Sequence, residues 1–233
     1  MSLLKVKSEF YNLKANEYRM PFTKGSLYDK INRLLVNGQI ILDVGSANGS
    51  FSRVLKKRKN KVYGIEISDT MAKISKKYLD EVIVGDIEEL KVLPWKKNYF
   101  DTILLMDIVE HLFNPDAVFK KIRPHVKKSG QIIVTLPNVA NWEIRKNLLL
   151  GNFKYEKSGI MDSGHIRFFT YDTALSMFNR NSYVTVHVDC VIKLPLFLIK
   201  INNRLPFLGI HKLCSGRYKK LFAYQFIFVL KRV

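Results

Sequence analysis

Between residues 39 and 136, short runs of apolar and β-branched residues alternate with amphipathic stretches. This alternation is typical of repeated βαβ units and predicts a parallel sheet with helices packed on its faces. Five strands are predicted, at Gln39–Val44, Lys61–Ile67, Glu81–Val84, Asp101–Met106 and Gly130–Leu136. Helices are predicted between them, at Ser50–Lys59, Asp69–Tyr78 and Pro115–Val126.

The C-terminal third of the chain continues this pattern with a change of strand direction. A helix predicted near Tyr171–Asn179 precedes two β-rich runs, Tyr183–Ile192 and Phe222–Lys231. We expect these two runs to close the sheet as an antiparallel edge pair. The predicted fold is therefore α/β and Rossmann-like, a doubly wound, seven-stranded, mostly parallel sheet with an antiparallel C-terminal strand pair.

Three segments do not follow the strand and helix alternation. Residues 8–36 are predicted to form an N-terminal helical cap whose aromatic residues either cover a ligand cleft or, as we favour, pack on the core. These aromatic residues are Tyr11, Tyr18, Phe22 and Tyr28. Residues 141–164 and 194–220 are predicted to be substrate-side insertions. The second mixes apolar residues with Lys and Arg, which suits either an interfacial membrane contact or a helical hairpin packed on the sheet.

The composition allows a single domain with one sizeable core, because 47% of the 233 residues are apolar. We expect a cytoplasmic protein, since the chain has neither a secretory leader nor an apolar run long enough to cross a bilayer. Cys190 and Cys214 have neither the number nor the spacing of a disulfide framework or a zinc site, and we expect both to be reduced.

The charge of the chain changes this picture, since 39 Lys and Arg against 20 Asp and Glu give a net charge of +19. Such a field attracts polyanions. An anionic membrane surface, a phosphorylated substrate and nucleic acid all fit, and a Lys-rich solvated surface without a specific partner fits equally well.

The run from Ile40 to Phe51 contains the most specific pattern in the sequence. An apolar strand ends in an acidic residue and is followed by a turn of small residues and then by a helix. Gly45 and Gly49 allow the backbone to turn sharply beside a ligand. A dinucleotide fingerprint needs glycine at positions 45, 47 and 50, but Ala47 and Ser50 occupy two of them, which disfavours NAD.

The next two strands also end in carboxylates. Glu66 follows the turn by about 20 residues, where such folds hold ribose hydroxyls, and Asp86 ends the third strand. Ligands of open parallel sheets bind outside the carboxyl ends of the strands, so these acids are expected to share one site.

Together, the residues Asp43, Gly45, Ala47 and Gly49, followed by Glu66 and Asp86, resemble the motif set of class I S-adenosylmethionine-dependent methyltransferases. The resemblance covers residues 39–136 and implies S-adenosylmethionine as cofactor. It implies that the glycine loop lies along the methionine part, that Glu66 holds the ribose and that Asp86 receives the adenine amino group. Ile67 and Ile87 would flank the adenine. Ala47 departs from the commonest middle glycine of the family.

The fourth strand is followed by a second polar cluster, Asp107, Glu110 and His111. This run resembles the fourth motif of methyltransferases that modify quinone precursors, sugars and small-RNA ends. The resemblance implies a catalytic centre of these three residues and His165, with Asp107 also near the cofactor. In metal-dependent members, such a set binds a divalent cation, so a metal ion held by these four residues is one expectation. A metal-free base or a structural role for His111 is the other, and His165 can equally serve only to shape the acceptor pocket.

The predicted activity is O-methylation of a hydroxyl on a small molecule, a sugar or a lipid-linked sugar. Two alternatives stay open: an RNA methyltransferase, disfavoured because no RNA-binding module is recognisable, and a cofactor-binding protein without catalysis. No obligate protein partner is expected. The protein is expected in the cytoplasm, with the inner membrane face as a potential peripheral location.

Overall fold

The computed structural model describes residues 8, 9, 12, 20, 22–193 and 218–233. Seven strands are present in these ranges: β1 Ile40–Val44, β2 Lys61–Glu66, β3 Glu81–Val84, β4 Phe100–Met106, β5 Val126–Pro137, β6 Tyr183–Ile192 and β7 Ala223–Arg232. The helices are α1 Leu27–Leu34, α2 Ser50–Lys56, α3 Asp69–Ser75, α4 Pro115–Ile122, α5 Trp142–Leu149, α6 Tyr171–Arg180 and α7 Lys219–Phe222, with a 3₁₀ turn at Val109–His111.

The strands form one sheet in the order β3-β2-β1-β4-β5-β7-β6. Strands β1 to β5 are parallel, whereas β7 runs antiparallel to both β5 and β6. The predicted fold class is therefore confirmed, including the antiparallel C-terminal pair. The carboxyl ends of β1 and β4, which are neighbours in the sheet, lie at the point where the strand order reverses, which is where such sheets bind ligands.

The two faces of the sheet are covered by different helices. Because successive strand residues point to opposite faces, each strand contributes side chains to both cores. On one face, Leu42 and Leu105 pack in a core with residues of α4 and α6. On the other face, Ile41 and Leu104 pack with residues of α1 and α2. Each of these four strand side chains is fully buried.

Local signals in the sequence explain where the helices begin. The Ser68 hydroxyl accepts the Met71 N–H at the start of α3, and the Asn114 side chain accepts the Ala117 N–H at the start of α4. Pro115 then occupies the first turn of α4, where its missing N–H costs nothing. These caps place the loops that precede α3 and α4 beside the carboxyl ends of the strands.

The element boundaries differ from the prediction in a regular way: several helices are shorter and β5 is longer. Helix α4 ends at Ile122 rather than Val126, because Pro124 has no N–H with which to continue the helical hydrogen-bond pattern. Val126 instead pairs with Phe100, which extends β5 toward its N-terminus by four residues relative to the predicted start at Gly130.

The N-terminal cap and the insertions are described in part. Tyr11 and Tyr18 lie outside the described residues, as does most of the predicted insertion 194–220. Phe22 is exposed, whereas Tyr28 packs against Phe51 with ring centroids 5.4 Å apart. Within the described ranges, no helix has both the length and the apolar character needed to cross a bilayer.

Candidate cofactor and acceptor site

A cavity of about 860 Å³ opens at the carboxyl ends of β1 to β4. Most of the predicted site residues form its wall: Gly45, Ala47, Glu66, Ile67, Asp86, Ile87, Asp107, Glu110, His111 and His165. Asp43 and Gly49 are buried rather than part of that wall. The fold thus brings together residues that are as far apart as 120 positions in the sequence.

The turn after β1 depends on small residues. Gly45 has a φ of 75°, and a Cβ atom added to it would clash with Cδ1 of Ile108. This close approach lets Ile108, from the loop after β4, pack directly on the turn. Ala47 also has a left-handed backbone, with a φ of 47°. Because this region favours glycine, the alanine here adopts a strained conformation.

The Glu66 carboxylate joins the turns after β1 and β2. One oxygen accepts the N–H of Ala47 at 2.7 Å, and the other accepts the N–H of Ser68 at 2.8 Å. Burial of the side chain raises its pKa, and these hydrogen bonds oppose that effect. Each carboxylate oxygen has a further lone pair, so the group can still accept hydrogen bonds from a ligand in the cavity.

The loop after β3 is tied to the loop after β4. Asp86 accepts the Glu88 N–H at 2.9 Å, which turns the backbone back toward the sheet. The Glu88 carboxylate then accepts the N–H groups of Phe113 and Asn114 at 3.1 and 2.7 Å. From α4, the Lys121 ammonium donates to the carbonyls of Ile87 and Glu88.

Asp43 lies below the cavity, with 1% of its surface exposed. One of its oxygens accepts the Ser52 hydroxyl at 2.9 Å, while the other has no hydrogen-bond partner among the described residues. Burial raises the pKa of Asp43 from its usual 3.8 to about 7, since the charged form is poorly solvated there. In this position Asp43 supports the turn and the start of α2.

Glu110, His111 and His165 form a compact cluster, in which one potential ligand atom of each lies within 4.8 Å of the others. Nδ1 of His111 is 2.8 Å from the Gly164 carbonyl, and Nδ1 of His165 is 2.9 Å from the Ile160 carbonyl. A carbonyl can only accept, so in each neutral ring Nδ1 carries the hydrogen and Nε2 carries the lone pair.

The Glu110 carboxylate is the least solvated member of this cluster. It is 1% exposed, and neither oxygen has a hydrogen-bond partner in another described residue. Its closest basic neighbour is Nε2 of His165, 3.9 Å from one carboxylate oxygen. Burial, together with the nearby Asp107 carboxylate, raises the pKa of Glu110 well above its usual value. A buried carboxylate of this kind requires either a proton or a positively charged partner.

Asp107 lines the same cavity but is not a member of the cluster. The Thr135 hydroxyl donates to its Oδ1 at 2.7 Å, and the Gln225 amide donates to the same oxygen. Its backbone is left-handed, with a φ of 55°. The predicted set of four residues is thus divided in the structure into a cluster of three and a separately held Asp107.

Tyr28, for which covering a cleft was the less favoured alternative, lines the cavity and also packs against Phe51. Several other lining residues were not predicted individually: Lys157, Asp162, Tyr224 and Gln225. Gln225 had a recognisable signal, because a polar amide inside an otherwise apolar strand needs a partner when buried. Lys157 and Asp162 come from the segment between β5 and α6, and their approach to the cavity depends on the tertiary path of that segment.

Comparison with known proteins identifies the kind of domain to which this cavity belongs. Residues 42–134 match the family model described as a methyltransferase domain. Residues 42–134 therefore belong to a methyltransferase domain, and the fold of the chain is shared with solved S-adenosylmethionine-dependent methyltransferases. The resemblance found in the sequence is therefore confirmed, and S-adenosylmethionine is the cofactor that such a domain implies.

Among curated relatives of this methyltransferase domain, a ubiquinone biosynthesis O-methyltransferase from Coxiella burnetii is 23% identical over 109 residues. That alignment covers 46% of this chain and 47% of the relative, so the chain spans about half the length of the curated relatives it matches. The relationship therefore concerns the domain and leaves the acceptor open.

Solved structures share the fold over nearly the whole chain. A S-adenosylmethionine-dependent methyltransferase from Archaeoglobus fulgidus aligns with a TM-score of 0.63 at 20% identity, covering 96% of this chain and all of that one. A possible histamine N-methyltransferase from Thermotoga maritima aligns at 0.62 and 19% identity, covering 99% and 97%. At such identities the likeness establishes the fold alone.

Proposed function

We propose that this protein is an S-adenosylmethionine-dependent methyltransferase that methylates a hydroxyl group of a small molecule, a sugar or a lipid-linked sugar. The observation that carries the proposal is the shared cavity, which has Glu66 and Asp86 at one end and Glu110, His111 and His165 at the other. An O-methyltransferase needs a cofactor site and groups that can accept a hydroxyl proton side by side.

In the proposed complex, Glu66 accepts hydrogen bonds from the ribose hydroxyls, and Asp86 accepts one from the adenine amino group. Ile67 and Ile87 enclose the adenine ring. Gly45 and Ala47 let the backbone approach the methionine part, and the buried Asp43 and Gly49 maintain the turn beneath it. The methyl group would then face the end of the cavity that holds Asp107 and the cluster.

In the proposed reaction, the acceptor oxygen forms a bond to the methyl carbon while the bond from that carbon to sulfur breaks. The hydroxyl proton passes to Nε2 of His165 or His111, where the neutral rings carry their lone pairs. The Gly164 and Ile160 carbonyls hold the two rings in orientation and favour the protonated form. Asp107, held by Thr135 and Gln225, would position the acceptor beside the methyl group.

The cluster also fits a divalent metal ion. Two imidazoles and a buried carboxylate without a hydrogen-bond partner are a donor set that such ions accept. We propose Glu110, His111 and His165 as the ligands, with Asp107 as an additional candidate. A bound ion would lower the pKa of the acceptor hydroxyl and orient it. Metal-free base catalysis uses the same residues, so the two forms of the mechanism need a direct test.

The test combines ligand binding with transfer. Wild-type protein should bind S-adenosylhomocysteine in calorimetry, and Glu66→Ala should lose about 1.5–3 kcal/mol of that affinity. His111→Ala and His165→Ala should keep cofactor affinity but lose transfer of a deuteriomethyl label to acceptors in cell extract, measured by mass spectrometry. His187→Ala, at an exposed histidine of β6, is the matched control.

The outcomes separate the mechanisms. Transfer that stops when a chelator is added and returns with added metal supports the metal-dependent mechanism. Transfer that is unaffected by the chelator but still needs His111 or His165 supports metal-free base catalysis. Transfer that survives both histidine variants would place acceptor activation elsewhere. Absence of cofactor binding by the wild type would overturn the proposed function itself.

The charge of +19 supports one further part of the proposal, peripheral association with an anionic membrane surface at the cytoplasmic face. The same charge also favours the alternative of an RNA acceptor. Transfer of the deuteriomethyl label to RNA distinguishes the two, since a basic protein retains RNA in a salt-sensitive way whether or not RNA is its acceptor.

A further inference from the structure

The C-terminal half of α5 and the residues that follow it present an unusual number of exposed apolar side chains. We call this surface the apolar-basic patch, defined by Leu148, Leu149, Leu150, Phe153 and Tyr155 with Lys146 and Lys154. The five apolar and aromatic residues are 47%, 88%, 63%, 51% and 56% exposed, and both lysines are exposed. Single exposed apolar residues are ordinary, but a contiguous group of this kind marks an interaction surface.

The patch is held by the fold. The Leu150 N–H donates to the Lys146 carbonyl at the end of α5, and the Asn152 N–H donates to the Asn147 carbonyl at 2.8 Å. Leu148 and Phe153 line one small cavity of about 280 Å³, which brings the helix end and the following residues together. The ring of Phe153 packs edge-on against Tyr155, with centroids 5.6 Å apart.

The patch adjoins the candidate site. Lys157, Ser158 and Gly159, which follow Tyr155 almost directly, line the large cavity. The Glu156 N–H donates to the Met161 carbonyl at 2.7 Å, and this contact bends the chain from the patch into the cavity wall. A surface that binds the patch would therefore lie beside the cavity mouth.

We propose that the apolar-basic patch docks this protein on an anionic lipid bilayer. The leucines and aromatic rings would enter the interfacial region, while Lys146 and Lys154 would lie among the lipid phosphates. In one respect this rests on the proposed function: docking would let an amphiphilic acceptor present its hydroxyl to the cavity while its apolar part stays in the bilayer.

Charge decides between the bilayer and the other candidates for this surface. Residues 194–217 contain Lys200, Arg204, Lys212 and Arg217 but no Asp or Glu, so they would not be attracted to a basic patch. A second copy of a chain with a net charge of +19 meets the same repulsion. Nucleic acid would neutralise the lysines but would leave the leucines in water. An anionic bilayer satisfies both the apolar and the basic residues.

Vesicle flotation of the full chain tests the proposal. Wild-type protein should float with vesicles of phosphatidylglycerol and phosphatidylcholine and should stay behind with phosphatidylcholine alone. Leu149→Ser combined with Leu150→Ser should reduce partitioning by about tenfold or more, because apolar area buried in the interface is lost. Lys146→Gln with Lys154→Gln should weaken partitioning and its salt dependence.

Matched controls separate the patch from general surface effects. Val92→Ser changes another strongly exposed apolar residue, and Lys76→Gln with Lys77→Gln changes another exposed basic pair. Both should float like the wild type. Affinity for S-adenosylhomocysteine and the melting temperature should be unchanged in the leucine variant. These two measurements distinguish a loss of docking from a loss of folding or of cofactor binding.

Three results would overturn the proposal. Wild-type protein that floats with neither vesicle does not dock on a bilayer, and a leucine variant that floats like the wild type docks through another surface. A wild-type dimer that becomes monomeric in the leucine variant would identify the patch as a contact between copies of the chain. None of these results bears on cofactor binding or methyl transfer, so they leave the proposed methyltransferase activity intact, whereas the first would also remove the proposed membrane association.

Discussion

Asp43 is a carboxyl group that the fold buries almost completely and supplies with one hydrogen bond, from Ser52. Its charged form is therefore disfavoured in the folded protein, and its pKa rises from 3.8 to about 7. In the unfolded chain the group ionises at its ordinary value. Between these two values the folded state binds a proton that the unfolded state has lost, so the folded state loses stability as pH rises.

We expect Asp43→Asn to remove this pH dependence, because the amide has no proton to lose in this range. Relative to the wild type, the variant should gain stability between pH 5 and pH 8, by roughly 4 kcal/mol at most. Urea unfolding of ligand-free protein at pH 5, 6.5 and 8 measures the difference. Buried carboxyls that do not interact with Asp43, such as Glu110, titrate in both proteins and cancel, so an equal difference at all three pH values would contradict the prediction.

At the level of elements, the loops after β3 and β4 behave as one connected unit. Glu88 accepts the N–H groups of Phe113 and Asn114, and Arg167 donates from the other side to the carbonyls of Leu112 and Phe113. The Glu110 carbonyl also accepts the N–H groups of Ile166 and Arg167. The proposed adenine end and the proposed acceptor end of the cavity are therefore joined through one short stretch, residues 110–114.

Glu88→Ala should leave two backbone N–H groups of this stretch without their partner. We expect a loss of about 1–2 kcal/mol in the free energy of unfolding and weaker binding of S-adenosylhomocysteine, because Ile87 and Phe113 both line the cavity. Denaturant unfolding and calorimetry measure the two effects. Glu89→Ala, at the exposed neighbouring residue, is the control. Identical behaviour of the two variants would show that the Glu88 hydrogen bonds contribute neither to stability nor to binding.

At the scale of the whole molecule, the excess of positive charge opposes compaction. Lys56 pairs with Asp80 and Lys127 with Asp101, but with 39 basic residues against 20 acidic ones at least 19 basic residues have no acidic partner in any one-to-one pairing. Exposed ion pairs contribute little to the free energy of unfolding, whereas repulsion summed over the surface favours the unfolded chain over the compact one.

Raising the sodium chloride concentration from about 20 to about 300 mM should therefore raise the melting temperature, since the Debye length becomes shorter than typical charge spacings. For a domain of this size, each kcal/mol by which salt reduces the repulsion raises the melting temperature by about 2–4 °C. Scanning calorimetry at both concentrations measures this. Lys97→Glu with Lys128→Glu, at two exposed positions, should reduce the salt effect; a melting temperature that falls with salt would mean that ion pairs outweigh repulsion.

The sequence by itself determined the fold class and much of the cavity wall that is proposed to hold the cofactor. Strand periodicity and turn residues are local properties, and acids at strand ends must meet because the strands are parallel. Glu66 and Asp86 were predictable for this reason. His165 was named only because its motif resembles a family, since no local rule places a residue after β5 beside Glu110.

Tertiary structure decided everything that depends on long-range contacts. Only the packed chain buries Asp43 beneath the cavity rather than in its wall. Only the packed chain holds Asp107 with Thr135 and Gln225. Asp107 is thereby kept apart from the cluster of Glu110, His111 and His165. Exposure of Leu149 and Leu150 is likewise decided by which surfaces α5 finds to pack against. A hydrophobic pattern states which residues prefer burial, but the limited area of the core determines which of them obtain it.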